Sequence, residues 1–179
     1  MTTALLIIDV QQGLCEGEGA AFKSPQVIQR INIASGKARA AGVPVIFIQH
    51  ESGPGYLEFE TPAWQLANGL DFDAGDLRVR KTTPDSFHRT GLEELLNRLG
   101  VSSLVICGMH TEFCVDTTTR RALALGFPVI LLEDAHTSAG NRYLSATQVI
   151  QHHNETLSNI SSFGPRVCTI PANKLLIVA

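Results

Sequence analysis

The stretch LVICGMHTEFCVDTTTRRALALGF, residues 104–127, has the pattern of a strand, a turn and a helix, and the predicted fold is organised around it. Its opening residues, LVIC, form a continuous apolar run, which is typical of a strand buried on both faces of a parallel sheet. Residues 108–113 predict a turn, and a helix is predicted from about Cys114 to about Leu125, with Gly126 as its stop. The helix residues expected to face the sheet recur at helical spacing: Val115, Thr118, Ala122 and Leu125.

Cys114 has a distinctive position in this stretch, in the first turn of a helix and at the carboxyl end of a strand. Unpaired N–H groups and the positive end of the helix dipole both favour a thiolate there, and the thiolate is the nucleophilic form of cysteine. The alternative is a buried and inert cysteine, a common fate of this residue in apolar surroundings. Position alone leaves both interpretations open.

Segments with the character of buried strands alternate with segments of helical periodicity on either side of this stretch. The predicted strands cover residues 4–10, 43–49, 76–81, 101–107, 128–132 and 166–170, and the predicted helices cover residues 24–41, 91–99, 114–125 and 145–160. The segment at 76–81 alternates apolar and basic residues, which places it at the sheet edge. The pattern predicts an α/β fold: a doubly wound, mainly parallel sheet with helices on both faces, in a single domain over residues 1–179.

Composition argues against several classes of function. Hydrophobic residues make up 44% and charged residues 17% of the 179 residues, the proportions of an ordinary globular protein. A formal net charge of −3 gives no electrostatic reason to expect nucleic acid or an acidic membrane as a partner, and we find no apolar run of membrane-spanning length. The opening Met-Thr-Thr lacks the basic start of a signal peptide, which predicts a cytoplasmic protein.

The cysteines are predicted to be free thiols, since they form no CxxC pair and no close cluster with histidine and a reducing compartment keeps thiols free. They are Cys15, Cys107, Cys114 and Cys168. We therefore expect no zinc site built from them.

Two further polar residues stand at predicted strand ends. Asp9 closes the first strand and Lys81 closes the segment at 76–81. Ligands of doubly wound sheets bind at the carboxyl ends of the strands, so Asp9, Lys81 and Cys114 are expected to converge on one crevice. A carboxylate can take the thiol proton, a cation can lower both pKa values, and the thiolate can attack a carbonyl. The alternatives are a turn cap for Asp9 and a solvated charge for Lys81.

The segment at 50–76 is long, rich in Gly, Pro and aromatic residues, and has no clear period. Segments of this kind are often functional. Trp64 and Phe59 are candidates to line a pocket there, or else they anchor the loop to the domain, and His50 either touches a ligand or is an edge residue. Of the histidines near the C-terminal helix, we expect one of His152 and His153 at the surface and the other half-buried.

Three motifs in this order are similar to one known family. They are LLIIDVQ, which contains Asp9, VRK ending at Lys81 with Asp-Ser-Phe at residues 85–87 behind it, and GMHTEFCV, which contains Cys114. On these motifs the chain resembles the isochorismatase-like cysteine hydrolases, the superfamily that includes the nicotinamidases. The resemblance covers most of the chain, roughly from the first strand to His136.

The resemblance implies a catalytic triad of Asp9, Lys81 and Cys114. It also implies a cis peptide bond between Met109 and His110, and an oxyanion held by the backbone N–H groups of His110 and Cys114. Since Lys81 neutralises Asp9, we expect a Cys114 thiolate near neutral pH and a thiol far more reactive than the other three. Loop position and the resemblance together give the substrate-binding candidates: Leu14, Trp64, Phe87, His110 and Phe113.

Departures from the family pattern narrow the expected chemistry. Nicotinamidases carry an Asp-x-His metal motif after the second strand, whereas this chain reads IQHE at residues 48–51 and has no histidine at 58–65. We therefore expect no metal, no cofactor and a substrate other than nicotinamide. Isochorismatases proper often lack the cysteine, so Cys114 favours an acyl-enzyme route on a small carboxamide, imide or ureido carbonyl.

Two alternatives stay open. One is isochorismatase-type hydrolysis of a vinyl ether by Asp9 and Lys81, with Cys114 as a bystander. The other is a non-catalytic protein on the same fold that binds a ligand or senses oxidants through its thiol. The expected partners are a small-molecule substrate and further copies of the chain in a dimer or tetramer, because relatives form such assemblies and the apolar tail at 175–179 would be exposed on a monomer.

Overall fold

The computed structural model describes residues 2–177 of the chain. Its sheet has six parallel strands in the order β3-β2-β1-β4-β5-β6. The strands are β1 (Thr3–Ile8), β2 (Val45–His50), β3 (Leu77–Lys81), β4 (Ser103–Met109), β5 (Val129–Thr137) and β6 (Val167–Ile170). The chain winds outward from β1 to β3, returns to β4 beside β1, and winds outward again to β6. The topological switch therefore falls between β1 and β4, where open α/β sheets bind ligands.

Helices cover both faces of the sheet, which confirms the doubly wound α/β prediction. They are α1 (Gln12–Cys15), α2 (Ser24–Ala40), α3 (Leu92–Arg98), α4 (Asp116–Ala124) and α5 (Ala146–Ser158). On one face α2 packs against Leu5 and Ile7 of β1. On the other face, α3, α4 and α5 pack against Leu6 and Ile8. This division follows from the strand backbone, which points successive side chains to opposite faces.

The helix expected from Cys114 begins differently. A five-residue π-helical turn, Thr111–Val115, follows β4, and α4 starts only at Asp116. The Val115 N–H donates to the His110 carbonyl at 3.2 Å, a contact five residues back rather than four. We call Thr111–Val115 the cysteine turn. Its wide geometry is a feature that apolar periodicity does not reveal, because such turns are single-turn departures within otherwise regular helices.

β5 extends beyond its predicted end at residue 132. Ile106 of β4 pairs with Leu131, but Gly108 pairs with His136, so residues 132–135 bulge out of the regular register. The polar pair Glu133 and Asp134 interrupts the apolar run, which is why the sequence pattern stops short. Gly108 itself is required at this point, because its φ is +119° and a Cβ there would overlap the backbone of Ile8.

The structure also tests the predictions for β3, for two histidines of α5 and for the C-terminal tail. β3 lies at the sheet edge as predicted, and His152 is exposed while His153 is half-buried, again as predicted. The expected apolar tail is only partly exposed: Leu175 is buried against the face that carries α2, whereas Leu176 is 88% exposed. The remaining tail residues at 178–179 lie outside the described part. Between residues 2 and 177, no helix is both long and apolar enough to cross a membrane.

Candidate active site

Four adjacent strands, β3, β2, β1 and β4, deliver polar side chains to one edge of the sheet. Lys81 ends β3, His50 ends β2, Asp9 follows β1, and Cys114 follows β4 within the cysteine turn. Asp9 has a left-handed backbone, with φ +52°. Such a conformation is uncommon outside glycine and is concentrated at functional sites. The sequence prediction that Asp9, Lys81 and Cys114 approach one another agrees with their placement here.

The Lys81 ammonium group is the centre of these contacts. Its Nζ donates to Asp9 Oδ2 at 2.6 Å and to Cys114 Sγ at 3.2 Å. It also lies 3.1 Å from the Thr83 carbonyl and 3.3 Å from His50 Nδ1. The side chains of Lys81 and Asp9 are both almost fully buried. Removing both charges from water is unfavourable, and the short contact between them offsets part of that cost.

Cys114 is a protonated thiol in this resting arrangement. Burial, followed by the negative charge of Asp9, raises the pKa of Cys114 to about 12, and the nearby Lys81 charge only partly opposes this shift. The expectation of a thiolate near neutral pH is therefore wrong for the resting site. The helix terminus and Lys81 do favour the thiolate, but desolvation outweighs them in an enclosed site.

Asp9 offers the proton acceptor that a thiol of this kind needs. Its Oδ1 is buried and has no hydrogen-bond partner among residues 2–177, since Lys81 occupies only Oδ2. One carboxylate oxygen of Asp9 lies within 4.8 Å of Cys114 Sγ. An unsatisfied buried carboxylate oxygen beside a thiol is suited to accept its proton as the sulfur attacks.

The peptide bond between Met109 and His110 is cis, as the family resemblance implies. His110 directly precedes the cysteine turn, and its carbonyl accepts hydrogen bonds from Phe113 and Val115 at 3.1 and 3.2 Å. These bonds direct the His110 carbonyl into the turn. The His110 and Cys114 N–H groups remain the predicted donors to an oxyanion.

A cavity of about 290 Å³ opens over Cys114. Its lining consists of Asp9, Leu14, His50, Tyr56, Leu57, Pro84, His110, Phe113 and Cys114. Three of the five predicted substrate-binding residues, Leu14, His110 and Phe113, are among them. Tyr56 and Leu57 were not singled out from the sequence, because they stand in the aperiodic segment after β2 where no spacing marks an inward-facing residue.

Trp64 and Phe87, the other two substrate-binding candidates, do not line this cavity. Trp64 is buried and packs edge-on against Phe59, with ring centroids 4.9 Å apart. Phe87 lies in the core and stacks on Phe127 at 6.3 Å. Trp64 and Phe87 therefore pack their loops against the domain. Burial of a large aromatic surface is favourable whether or not a ligand is near. The residue type alone therefore did not distinguish a pocket-lining ring from one that anchors a loop.

The two imidazoles in the cavity wall are neutral at physiological pH. Burial lowers the pKa of His50 and that of His110, and the Lys81 charge lowers His50 further. Asp9, His50 and Cys114 could each offer one ligand atom to a metal ion. However, the Lys81 ammonium lies within hydrogen-bond distance of all three side chains. This fixed positive charge opposes a divalent cation at the same place, so the donor set does not fit a metal centre.

Comparison with known proteins identifies the class. The isochorismatase domain model matches residues 3–162, and the chain belongs to the isochorismatase family. The resemblance drawn from the three motifs is thereby confirmed. A solved structure of an isochorismatase family protein superposes with a TM-score of 0.86 at 35% identity, covering 94% of this chain and 97% of that one.

Curated relatives carry names of hydrolases. A streptothricin hydrolase of Streptomyces noursei is 38% identical over 136 residues, which are 75% of this chain and 49% of that protein. The chain thus spans about half the length of the streptothricin hydrolases it matches. A ureidoacrylate amidohydrolase of Methylobacterium radiotolerans is 30% identical, over 90% of this chain and 74% of that protein.

Proposed function

We propose that this chain is a cysteine hydrolase that cleaves a C–N bond of a small amide through a thioester on Cys114. The contact of Lys81 with both Asp9 and Cys114, beneath a cavity of about 290 Å³, is the observation that carries the proposal. The names of the relatives support the reaction class, since two of them denote a hydrolase and an amidohydrolase.

The proposed reaction begins with proton transfer. Asp9 takes the Cys114 proton on its free Oδ1 while Sγ forms a bond to the amide carbonyl carbon. The carbonyl oxygen becomes an oxyanion and receives hydrogen bonds from the backbone N–H groups of His110 and Cys114. Lys81 orients the Asp9 carboxylate before attack, and it stabilises the sulfur as negative charge develops on it.

The tetrahedral intermediate then collapses. The C–N bond breaks, and the leaving amine or ammonia takes the proton that Asp9 had accepted, which leaves a Cys114 thioester and an Asp9 carboxylate. Water attacks the thioester carbonyl and gives up one proton to Asp9. Cleavage of the C–S bond releases the acid, and the Asp9 proton returns to the sulfur. The cycle thus ends with the thiol and carboxylate with which it began.

The cavity wall supports a small, neutral substrate. Five of the nine described residues that line it have aliphatic or aromatic side chains, and the imidazoles are neutral. The five are Leu14, Tyr56, Leu57, Pro84 and Phe113. Asp9 is the charged side chain in the lining, and it is already paired with Lys81. A substrate carboxylate against this wall would lose water without gaining a partner, which is unfavourable.

A panel of small neutral carboxamides, imides and ureides, read out as ammonia or amine release, tests the proposal. We expect turnover of at least one member, loss of turnover in Cys114→Ala, and full turnover in the exposed-cysteine control Cys168→Ala. Trapping of an acyl adduct on Cys114 would identify the intermediate. Full turnover by Cys114→Ala would refute the mechanism.

The same samples distinguish the alternatives. Cys114-independent release of pyruvate from isochorismate would favour ether hydrolysis by Asp9 and Lys81. Oxidation of Cys114 by mild peroxide, with no turnover across the panel, would favour a thiol sensor.

We also propose that the chain forms a homo-oligomer. Large apolar side chains with high exposure support it, among them Phe113 at 59% and Leu176 at 88%. Burial of such residues favours association of copies. Light scattering at micromolar concentration checks the mass, and a monomer would contradict the proposal.

A further inference from the structure

A buried histidine lies behind the cysteine turn and is not among the residues that line the active-site cavity. His136, near the end of β5, is 1% exposed, and both of its ring nitrogens have partners. Nδ1 lies 2.8 Å from Thr111 Oγ1, and Nε2 lies 2.8 Å from Asn154 Oδ1. Asn154 also donates from Nδ2 to the Glu133 carbonyl at 3.0 Å. A continuous series of hydrogen bonds thus joins α5 to the first residue of the cysteine turn.

The donor and acceptor of each hydrogen bond in this series follow from the contact between Asn154 and the Glu133 carbonyl. Because Asn154 Nδ2 donates to a backbone carbonyl, its Oδ1 faces His136 and must accept. The His136 proton therefore resides on Nε2, and Nδ1 is left as an acceptor. Burial lowers the pKa of His136 to about 4, so the ring is neutral at physiological pH. The Thr111 hydroxyl is then the donor to Nδ1.

The irregular register of β5 places His136 at this point. Leu131 pairs with Ile106, so a regular strand would put Glu133 opposite Gly108. The bulge at residues 132–135 puts His136 there instead. Bulges commonly redirect a side chain beside an active site. Here the redirected imidazole meets the Thr111 hydroxyl, which is itself fully buried.

We propose that Asn154, His136 and Thr111 form a positioning relay that fixes the cysteine turn for acyl transfer. Thr111 directly follows His110 and opens the turn that carries Cys114, so its side-chain bond restrains the backbone that presents both predicted oxyanion donors. The inference rests on the proposed function, in which those two N–H groups stabilise the oxyanion. Lys81 holds Cys114 Sγ independently, at 3.2 Å. Loss of the relay should therefore impair the oxyanion step more than the nucleophile.

Two reactions of Cys114 separate these effects. Acylation by p-nitrophenyl acetate passes through an oxyanion and needs the backbone donors, whereas alkylation by iodoacetamide displaces iodide at a saturated carbon and forms no oxyanion. Cys114→Ala supplies the background for both reagents. A merely structural role for His136 would move both rates together or neither, so the ratio of acylation to alkylation is the diagnostic quantity.

His136 permits a matched pair of substitutions. The side-chain amide of Asn stands where Nδ1 stands in histidine, so His136→Asn retains an acceptor for Thr111. The longer Gln places its amide near Nε2, so His136→Gln retains the donor to Asn154 and loses the bond to Thr111. Thr111→Val removes the hydroxyl from the other side with little change of shape. Thr119→Val is the control, because Thr119 is equally buried and its hydroxyl has no partner among the described residues.

We expect His136→Gln and Thr111→Val to slow acylation by up to about a hundredfold, the cost of a misplacement of about 1 Å, because the oxyanion donors would be shifted rather than removed. Alkylation should stay close to the parent rate. Thr119→Val should acylate like the parent, and His136→Asn should recover part of the rate lost in His136→Gln, because it keeps the acceptor for Thr111 but loses the bond to Asn154. The Thr111→Val/His136→Gln double variant should be no slower than the slower single variant.

Parent-like acylation in both His136→Gln and Thr111→Val would overturn the relay, as would an equal loss of acylation and alkylation. If His136→Gln does not fold, Thr111→Val alone carries the same comparison. A parent protein that is not acylated at Cys114 by any activated ester would count against the proposed function itself, and the two failures are therefore distinguishable.

Discussion

The Lys81 ammonium donates to the Asp9 carboxylate at 2.6 Å although β2 separates their strands. Two strand spacings place the backbones roughly 10 Å apart, so the lysine side chain crosses the end of β2 to reach Asp9. On the way it passes His50 and meets Cys114. This crossing makes one ion pair serve as both a core contact and the electrostatic centre of the site.

Lys81→Met should destabilise the protein by about 3–5 kcal/mol, because removing one partner of a buried pair leaves the other charge uncompensated. It should also slow iodoacetamide labelling of Cys114, since the Lys81 charge lowers the pKa of that thiol. Urea unfolding and site-resolved mass spectrometry measure the two effects. Arg80→Met, which breaks a partly exposed pair with Glu51, is the neighbouring control and should change stability by at most about 1 kcal/mol.

The thiols of the parent protein should react with iodoacetamide at different rates. Cys15 and Cys107 are buried away from the cavity, and burial raises the pKa of both. We expect Cys114 to label faster than either in the parent, because it lines the cavity beside Asp9 and Lys81. Equal labelling of Cys107 and Cys114, or an unchanged Cys114 rate in Lys81→Met, would contradict the proposed triad.

Asp9→Asn should separate thiol acidity from catalysis. The Asp9 charge raises the pKa of Cys114, so its removal should let the thiolate form at lower pH than in the parent. Turnover should nevertheless fall by about 10²–10⁴, because no group remains to pass the thiol proton to the leaving amine. Thiolate absorbance against pH and the amide panel provide the two measurements. A higher pKa of Cys114 in Asp9→Asn than in the parent would contradict the direct effect of the Asp9 charge on this thiol.

Phe113 and Phe87 should respond in opposite ways to truncation. Phe113 lines the cavity and is 59% exposed, so Phe113→Ala should raise KM with little loss of stability. Phe87 is a core residue, so Phe87→Ala should cost about 3–5 kcal/mol in unfolding free energy and leave KM near the parent value. Steady-state kinetics and urea unfolding of both variants check this contrast, which would fail if Phe87→Ala changed KM alone.

Stability should decline in mild acid through His136. Its pKa is about 4 in the folded protein against an ordinary value of 6.5, so the unfolded chain takes up the proton first as the pH falls. The contribution is complete above about pH 6.5 and is lost progressively down to about pH 4, a decrease of about 3 kcal/mol. Unfolding free energies at pH 7 and pH 4.5 should differ less in His136→Gln than in the parent. An equal slope in both proteins would exclude His136 as the cause.

Local patterns in the sequence were enough to predict the alternation of strands and helices. Apolar runs marked the strands, and helical spacing marked the helix face of Val115, Thr118 and Ala122, all of which are buried. Strand ends also carried the polar residues Asp9 and Lys81, because a parallel sheet brings its carboxyl ends to one edge. Each of these signals depends on neighbours within a few positions along the chain.

Other features depend on residues that are distant in the sequence and meet only when the chain folds. The protonation of Cys114 follows from how much water the fold removes and how near Asp9 lies, and neither quantity is encoded locally. The roles of Trp64 and Phe87 depend on which surface each ring meets. The register shift that brings His136 to Thr111 arises only once β5 pairs with β4. Local spacing determines on which face of a helix or strand a residue lies. Long-range packing determines which groups that residue contacts, and these contacts set its chemistry.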